Sequence, residues 1–264
     1  MMPNVPEMLV AHFAVPLEGA VLVSVNTRLS GEEIAYILNH GGAKALVTDS
    51  ACLPVVASTV LNTPAITEVI TCQDTEAGET PDPRAVALGG GRLVPYPEFT
   101  LRTSGDLLDW EVDYELAPIL INHTSGTTGK PKGVVFTHRG AYLNCFGEIV
   151  HSCFDQDSVY LWTLPMFHAN GWCTPWAVTG IGGTHVRLRE VRGDVIWALI
   201  RQHRVTHLNG APTVVTIIVN APEAGRLDDS LLITTAGSPP SPTTILQMEQ
   251  VGFQIVHVYG LTET

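Results

Sequence analysis

The stretch INHTSGTTGKPKGVVFTHRG, residues 121–140, sets five hydroxyl residues and four glycines around two lysines, in a chain whose formal net charge is -12. Such a loop suits an anion. Gly126, Gly129 and Gly133 allow positive φ and close backbone approach, so several N–H groups can converge on one ligand. Thr124, Ser125, Thr127 and Thr128 add hydroxyl donors, and Lys130 and Lys132 supply positive charge. The order is not that of G-x-x-x-x-G-K-[ST], because Gly126 and Gly129 stand too close and Pro131 follows Lys130, which disfavours a standard P-loop. The loop runs into a β-like segment, 134–137, and must therefore use its own donors rather than a helix dipole. Taken alone, a Gly/Thr cluster of this kind reads first as a solvated turn.

Outward from the loop, helical and strand patterns alternate. Ser30, Glu33 and the spaced apolar set Ile34, Ile37 and Leu38 predict a capped helix that stops at Gly41 and Gly42, followed by a buried strand over 45–47. A helix over 139–153 precedes a strand over 159–164, and a helix over 194–203 precedes a strand over 205–208. A helix over 242–250 then leads into a strand over 254–259. This alternation predicts an α/β fold with mostly parallel sheets flanked by helices. Residues 74–91, rich in Gly, Pro and acidic side chains, read as a surface excursion.

The 264 residues suffice for one large domain or two small ones, and a hydrophobic content of 45% is ordinary for a globular core. The longest apolar runs, such as 214–219, are far too short to span a membrane, and the N-terminus lacks a secretory pattern. The expectation is a soluble cytoplasmic protein. Cys52, Cys72, Cys145, Cys153 and Cys173 are odd in number and contain no C-x-x-C pair, so reduced core thiols are expected rather than disulfides or structural zinc. With 14 Lys+Arg against 26 Asp+Glu, neither nucleic acid nor an anionic membrane is expected as a partner. His203 and His207 have H-x-x-x-H spacing, but Arg204 stands where a zinc protease needs Glu, and the pair straddles a helix-to-strand junction. No G-x-G-x-x-G follows a strand, which disfavours a nicotinamide dehydrogenase.

TSGTTGKPKGV resembles the signature loop of the adenylate-forming enzymes: acyl-CoA synthetases, luciferases and peptide-synthetase adenylation domains. Further segments follow in the family's order. LPMFHANGW, 164–172, is similar to the second core segment, AGSPPSP to the adenine-binding loop and YGLTET to the third nucleotide segment. PNVPEMLVAHFAVPLEGAVLVSVNTRL resembles the acyl-CoA synthetase branch that takes short- and medium-chain or small substituted acids. The resemblance covers essentially the whole chain. His123 departs from it, standing where the family has an aromatic residue.

The resemblance implies two steps: a carboxylate attacks the α-phosphate of ATP, giving an acyl-adenylate and pyrophosphate, and coenzyme A then displaces AMP. It implies that residues 124–132 hold the β- and γ-phosphates, that Thr262 donates to the α-phosphate, and that Glu263, with Thr124, binds Mg2+. Tyr259 and Gly260 would contact the nucleotide, with Gly237, Ser238 and Pro239 lining the base. His168 is read either as substrate-positioning or as structural, and Trp172 either as an acyl gate or as packing; Gly210 and Ala211 leave room for the acyl group. In the family the ribose-binding aspartate, the hinge and the small C-terminal domain with its catalytic lysine follow the position of Thr264. The chain is accordingly expected to be part of a large domain, 1–264, cut at both ends and inactive in isolation. A homodimer is carried as a partner expectation. The alternatives are a non-catalytic nucleotide-binding fragment or pseudo-enzyme, and an adenylation domain serving a carrier protein.

Overall fold

The computed structural model describes residues 1–60, 62–73, 92–102, 105, 111–124 and 129–263, so the excursion expected at 74–91 lies outside the described residues. The chain divides into two compact units, 1–139 and 140–264. The first contains α1 (Pro6–Leu17), β1 (Leu22–Ser24), α2 (Gly31–His40), β2 (Ala45–Asp49), α3 (Leu53–Val60), β3 (Glu68–Cys72), β4 (Arg92–Pro95), α4 (Tyr96–Thr100), β5 (Pro118–Thr124) and β6 (Lys132–Thr137). Helix α2 begins where the sequence predicts it. Ser30 Oγ accepts from the Glu33 N–H while the Glu33 carboxylate accepts from the Ser30 N–H, and Gly42 closes the helix at φ +66°. Its apolar face, Ile34, Ile37 and Leu38, packs with Leu46 of β2, Val56 of α3 and Val69 of β3. Strands β2, β3 and β4 are parallel, whereas β5 pairs parallel with β1 and antiparallel with β6.

The divide falls at the start of α5 (His138–His151). The second unit continues through β7 (Val159–Leu161), α6 (Thr174–Gly180), β8 (Thr184–Val186), α7 (Gly193–His203), β9 (His207–Asn209), α8 (Pro212–Val219), β10 (Leu231–Ala236), α9 (Pro242–Gln250) and β11 (Phe253–Val258). Its five strands form one parallel sheet in the order β11-β10-β9-β7-β8. The register aligns Ile255, Ile233, Leu208, Leu161 and Val186 in one row across all five strands. Trp197 and Ile200 of α7, Val215 and Ile218 of α8 and Met248 of α9 bury that row. Trp197 is fully enclosed, donates from Nε1 to Ile218 O at 2.9 Å and meets Phe253 edge-on.

Two strands are shorter or shifted relative to expectation. β7 stops at Leu161 because the chain folds back, with Thr163 N–H donating to Leu161 O. β9 starts at His207 because Val205 N–H closes the end of α7, where Arg204 is left-handed at φ 51°. All five cysteines are free; Cys72, Cys145 and Cys173 are buried, but Cys153 is exposed, contrary to the expectation of core thiols throughout.

Trp197→Ala should cost about 3–5 kcal/mol, since both the ring and its hydrogen bond disappear from a closed core. Ser30→Ala should cost about 1 kcal/mol through loss of the cap. Urea denaturation followed by circular dichroism measures both, and a smaller loss for Trp197→Ala than for Ser30→Ala would contradict this packing.

Candidate active site

In the first unit, β5 and β6 are the two arms of a hairpin whose connection is the Gly/Thr/Lys loop. Thr124 stands opposite Lys132 and His123 opposite Gly133, which fixes the roots of the loop in register. Ser125, Gly126, Thr127 and Thr128 lie outside the described residues. Gly129, Lys130 and Lys132 are exposed and Thr124 is half-buried. Helix α2 backs this hairpin: Tyr36 OH donates to Pro131 O at 3.2 Å, and the Lys130 ammonium lies 5.4 Å from the Tyr36 ring centroid. His40 stacks on Tyr36 and presents Nδ1 to His123 Nε2 at 3.2 Å, with the two imidazoles edge to face. His123 therefore keeps a ring-packing role. Burial, then the neighbouring His40, hold its pKa below the usual range. Neither Gly129 nor Gly133 has a positive φ. Gly133 is needed for space instead, because a Cβ there would sit 3.1 Å from Ile121 Cγ2 and 3.2 Å from His123 Nε2.

In the second unit every remaining candidate follows the C-terminal end of a strand. His168 and Trp172 come after β7, Gly210 and Ala211 after β9, Gly237, Ser238 and Pro239 after β10, and Tyr259, Gly260, Thr262 and Glu263 after β11. Since these strands are parallel neighbours, the segments gather along one edge of the sheet. Strand order reverses between β7 and β9, and in open α/β sheets ligands bind outside the carboxyl ends at such a switch point. Gly237 is exposed at φ +92°, and Tyr259 is 86% exposed, its ring free of the core. Gly210 is buried, and a Cβ there would lie 3.1 Å from Val214 Cγ1, while Ala211 and His168 are exposed. Beside them the Asn209 side-chain amide is buried, with no hydrogen-bond partner for Nδ2 among the described residues.

Residues 169–173 form a feature with no counterpart in the sequence pattern. Ala169, Asn170, Gly171, Trp172 and Cys173 have φ of 41°, 44°, 60°, 55° and 61°, one continuous left-handed turn. For L-residues this costs roughly 1–2 kcal/mol each, so the turn persists only because its surroundings over-determine it. Gly171 rests on Trp162, where a Cβ would meet Cζ3 at 3.0 Å. Trp162 is in turn fixed by His185: its Nε1 donates to His185 Nδ1 at 3.0 Å, and the rings stack at 12°. His185 Nε2–H then donates to Thr179 Oγ1 at 2.9 Å, whose hydroxyl donates to Pro175 O at 2.8 Å. This chain admits only neutral His185, since a proton on Nδ1 would displace the indole N–H. Of the residues involved, only Gly171 and Asn170 signal left-handed backbone by type; Trp162, His185 and the strained Trp172 give no local cue.

The donor set suits Mg2+. Glu263 is an exposed carboxylate with Thr262 beside it, and hard oxygens with room for water and substrate phosphates are what Mg2+ takes. Among the described residues no group of three or more His, Cys, Asp or Glu side chains gathers as an all-protein metal site. No helix among the described residues is long and apolar enough to cross a membrane. His203 ends α7 and His207 begins β9, so the pair does straddle a helix-to-strand junction.

Burial lowers the pKa of His185 to about 4 and depresses His207 as well as His123. The unfolded chain takes up these protons near pH 6.5, whereas the folded one resists them. The stabilisation is therefore complete above about pH 6.5 and is lost as pH falls toward the folded values. Burial also holds the Glu148 carboxyl up at about 7, which works the other way over the same range, so the check is made on the imidazole itself: in an NMR titration of the folded protein His185 should stay neutral down to about pH 5, and protonation near pH 6.5 would contradict the neutral-histidine arrangement.

Comparison with known proteins shows the family. The family model described as AMP-binding enzyme matches residues 1–264. The chain is 38% identical over 266 residues to 2-methylpropanoate--CoA ligase CCL4 of Humulus lupulus, covering 99% of this chain and 47% of that protein. It is 39% identical over 278 residues to a peroxisomal trans-cinnamate:CoA ligase of Petunia hybrida, again covering 99% of this chain and 47% of the relative. The chain thus spans about half the length of the curated relatives it matches. The inhibitor-bound N-terminal domain of FACL13 from Mycobacterium tuberculosis superposes with a TM-score of 0.79 at 25% identity, over 100% of this chain and 62% of that one. Because the family model matches every residue, the chain belongs to the AMP-binding enzyme family.

Proposed function

We propose that the full-length form of the protein, for which this chain supplies the ATP and acyl-site segments, activates a carboxylic acid with ATP, forming an acyl-adenylate and pyrophosphate, and passes the acyl group to coenzyme A. The observation that carries this reading is the gathering of the 168–172, 210–211, 237–239 and 259–263 segments at the carboxyl ends of four adjacent parallel strands. The relatives named as CoA ligases support the acceptor. In this reading Thr124, Ser125, Gly126, Thr127, Thr128, Gly129, Lys130 and Lys132 receive the β- and γ-phosphates, and Thr262 donates to the α-phosphate. Tyr259 and Gly260 contact the nucleotide, and Gly237, Ser238 and Pro239 line its base. Glu263 would hold Mg2+, which would supply positive charge to neutralise the triphosphate so that an anionic carboxylate can approach it. His168 positions the carboxylate, Trp172 bounds the acyl group, and Gly210 and Ala211 leave its space open. The reaction needs neutralised charge and in-line placement rather than a protein nucleophile.

Free thiols support the cytoplasm as the compartment. The Petunia relative is named as peroxisomal, so imaging of the tagged protein is the deciding observation. A homodimer is the proposed assembly, to be read by sedimentation velocity.

Mg-ATP at about 100 times Kd should stabilise the folded protein by roughly 2.7 kcal/mol, seen as a raised melting temperature. A flat response in a folded sample argues against nucleotide binding. The function itself is tested by acid-dependent pyrophosphate release and by mass spectrometry of the coenzyme A product across a panel of short- and medium-chain acids. Trp172→Ala should raise KM for the acid and alter acid preference with little change in KM for ATP. Equal loss for every acid with a lowered melting temperature would make Trp172 a packing residue only.

A further inference from the structure

The left-handed turn at 169–173 is held from two sides. One side is Gly171 on the Trp162 ring. The other is α5, where two consecutive residues reach two consecutive carbonyls of the turn. Asn144 Nδ2 donates to Trp172 O at 3.2 Å, and Cys145 Sγ donates to Cys173 O at 3.5 Å. The turn has little intrinsic preference for its own shape, because Ala169, Trp172 and Cys173 all sit where their residue types are disfavoured. Its geometry must therefore come from such contacts. Trp172 is the half-buried side chain whose backbone is both left-handed and tethered. Asn144 is itself exposed, so its hydrogen bond contributes little to the core and much to where the Trp172 backbone lies.

We propose that Asn144 and Cys145 are positioning residues: by fixing the carbonyls of Trp172 and Cys173 they set the placement of the Trp172 ring, and through it which acids the site accepts. The selectivity half of this statement rests on the acyl-activation reading, while the tether does not. Cys145 acts here as a donor, and a serine hydroxyl can replace it in that role. Asn144→Asp keeps the size of the side chain but removes the N–H that Trp172 O accepts.

The protein labelled with 5-fluorotryptophan tests the tether by 19F NMR, with the Trp172 resonance assigned by its loss in Trp172→Phe. In Asn144→Asp and in Cys145→Ala the Trp172 resonance should move or broaden, while that of Trp197, in the core on the α7 side of the sheet, stays in place. Cys145→Ser should return it toward the wild-type position. A Trp172 resonance unmoved in both Asn144→Asp and Cys145→Ala, with the other tryptophan signals showing a folded protein, overturns the proposal. In a form of the protein that releases pyrophosphate with an acid, Asn144→Asp and Cys145→Ala should raise KM for the acid roughly tenfold or more, as displaced binding groups do, and leave KM for ATP within about twofold. Equal changes in both constants overturn the selectivity role. Should the full-length form activate no acid at all, the function reading fails, and the 19F result still decides the tether.

Discussion

Parallel pairing of β7 through β11 is the constraint on which the rest of the second unit depends. Strands that run the same way cannot be joined by tight turns, so each connection must carry a crossover. The crossovers α7, α8 and α9 then cover one face of the sheet. The same pairing puts all the carboxyl ends along one edge, where segments far apart in sequence become neighbours. A single aligned row, Ile255, Ile233, Leu208, Leu161 and Val186, holds the register of all five strands. A slip of one residue in any strand would turn its row member away from Trp197 and Ile218, and the core enforces the alignment of the edge.

The opposite face carries polar and aromatic side chains in place of an aliphatic core. Tyr160 and Trp162 meet edge to face, Phe154 packs against both Tyr160 and His207, and His207 Nε2 donates to Ser152 O just past α5. This rigid layer supports a strained turn that no local preference would maintain. Strain on one side and a fixed aromatic floor on the other are what hold backbone in a sparsely populated region, and such sites concentrate where function requires a fixed geometry. The first unit solves a similar problem differently. Its loop is rooted in an antiparallel hairpin and backed by Tyr36, His40 and His123, with Gly133 leaving the room that the imidazoles occupy.

Much of this was legible in the sequence where the local signal and the tertiary outcome agree. Ser30 and Glu33 announce the start of α2, and α9 runs over the expected 242–250, where the structure adds a Ser241 cap that accepts from the Thr244 N–H. The α/β class follows from the alternation alone. Boundaries failed where a hydrogen bond outside the pattern intervened. The apolar run after Val159 continues through Trp162 and Leu164, yet the chain bends at Thr163; Val205 looks strand-like, yet its N–H closes a helix. Gly133 reads as a residue needed for φ, whereas contact with Ile121 and His123 is what excludes a side chain. The motif around His168 and Trp172 was visible as a motif, but its left-handed backbone was not, because it contradicts the preferences of most of its residues. Asn144, Cys145, Trp162 and His185 lie well apart in sequence from the segments they support, and only the fold connects them.

In the proposed function the 237–239 and 259–263 segments are nucleotide contacts, as is the 124–132 loop. Hydrogen–deuterium exchange with and without Mg-ATP tests it most directly. The account predicts slowed exchange in peptides covering the 124–132 loop, the 237–239 segment and the 259–263 segment, with the strands β2, β3 and β4 unchanged. Protection confined to those three strands, or no protection in the three segments at saturating nucleotide, would contradict it.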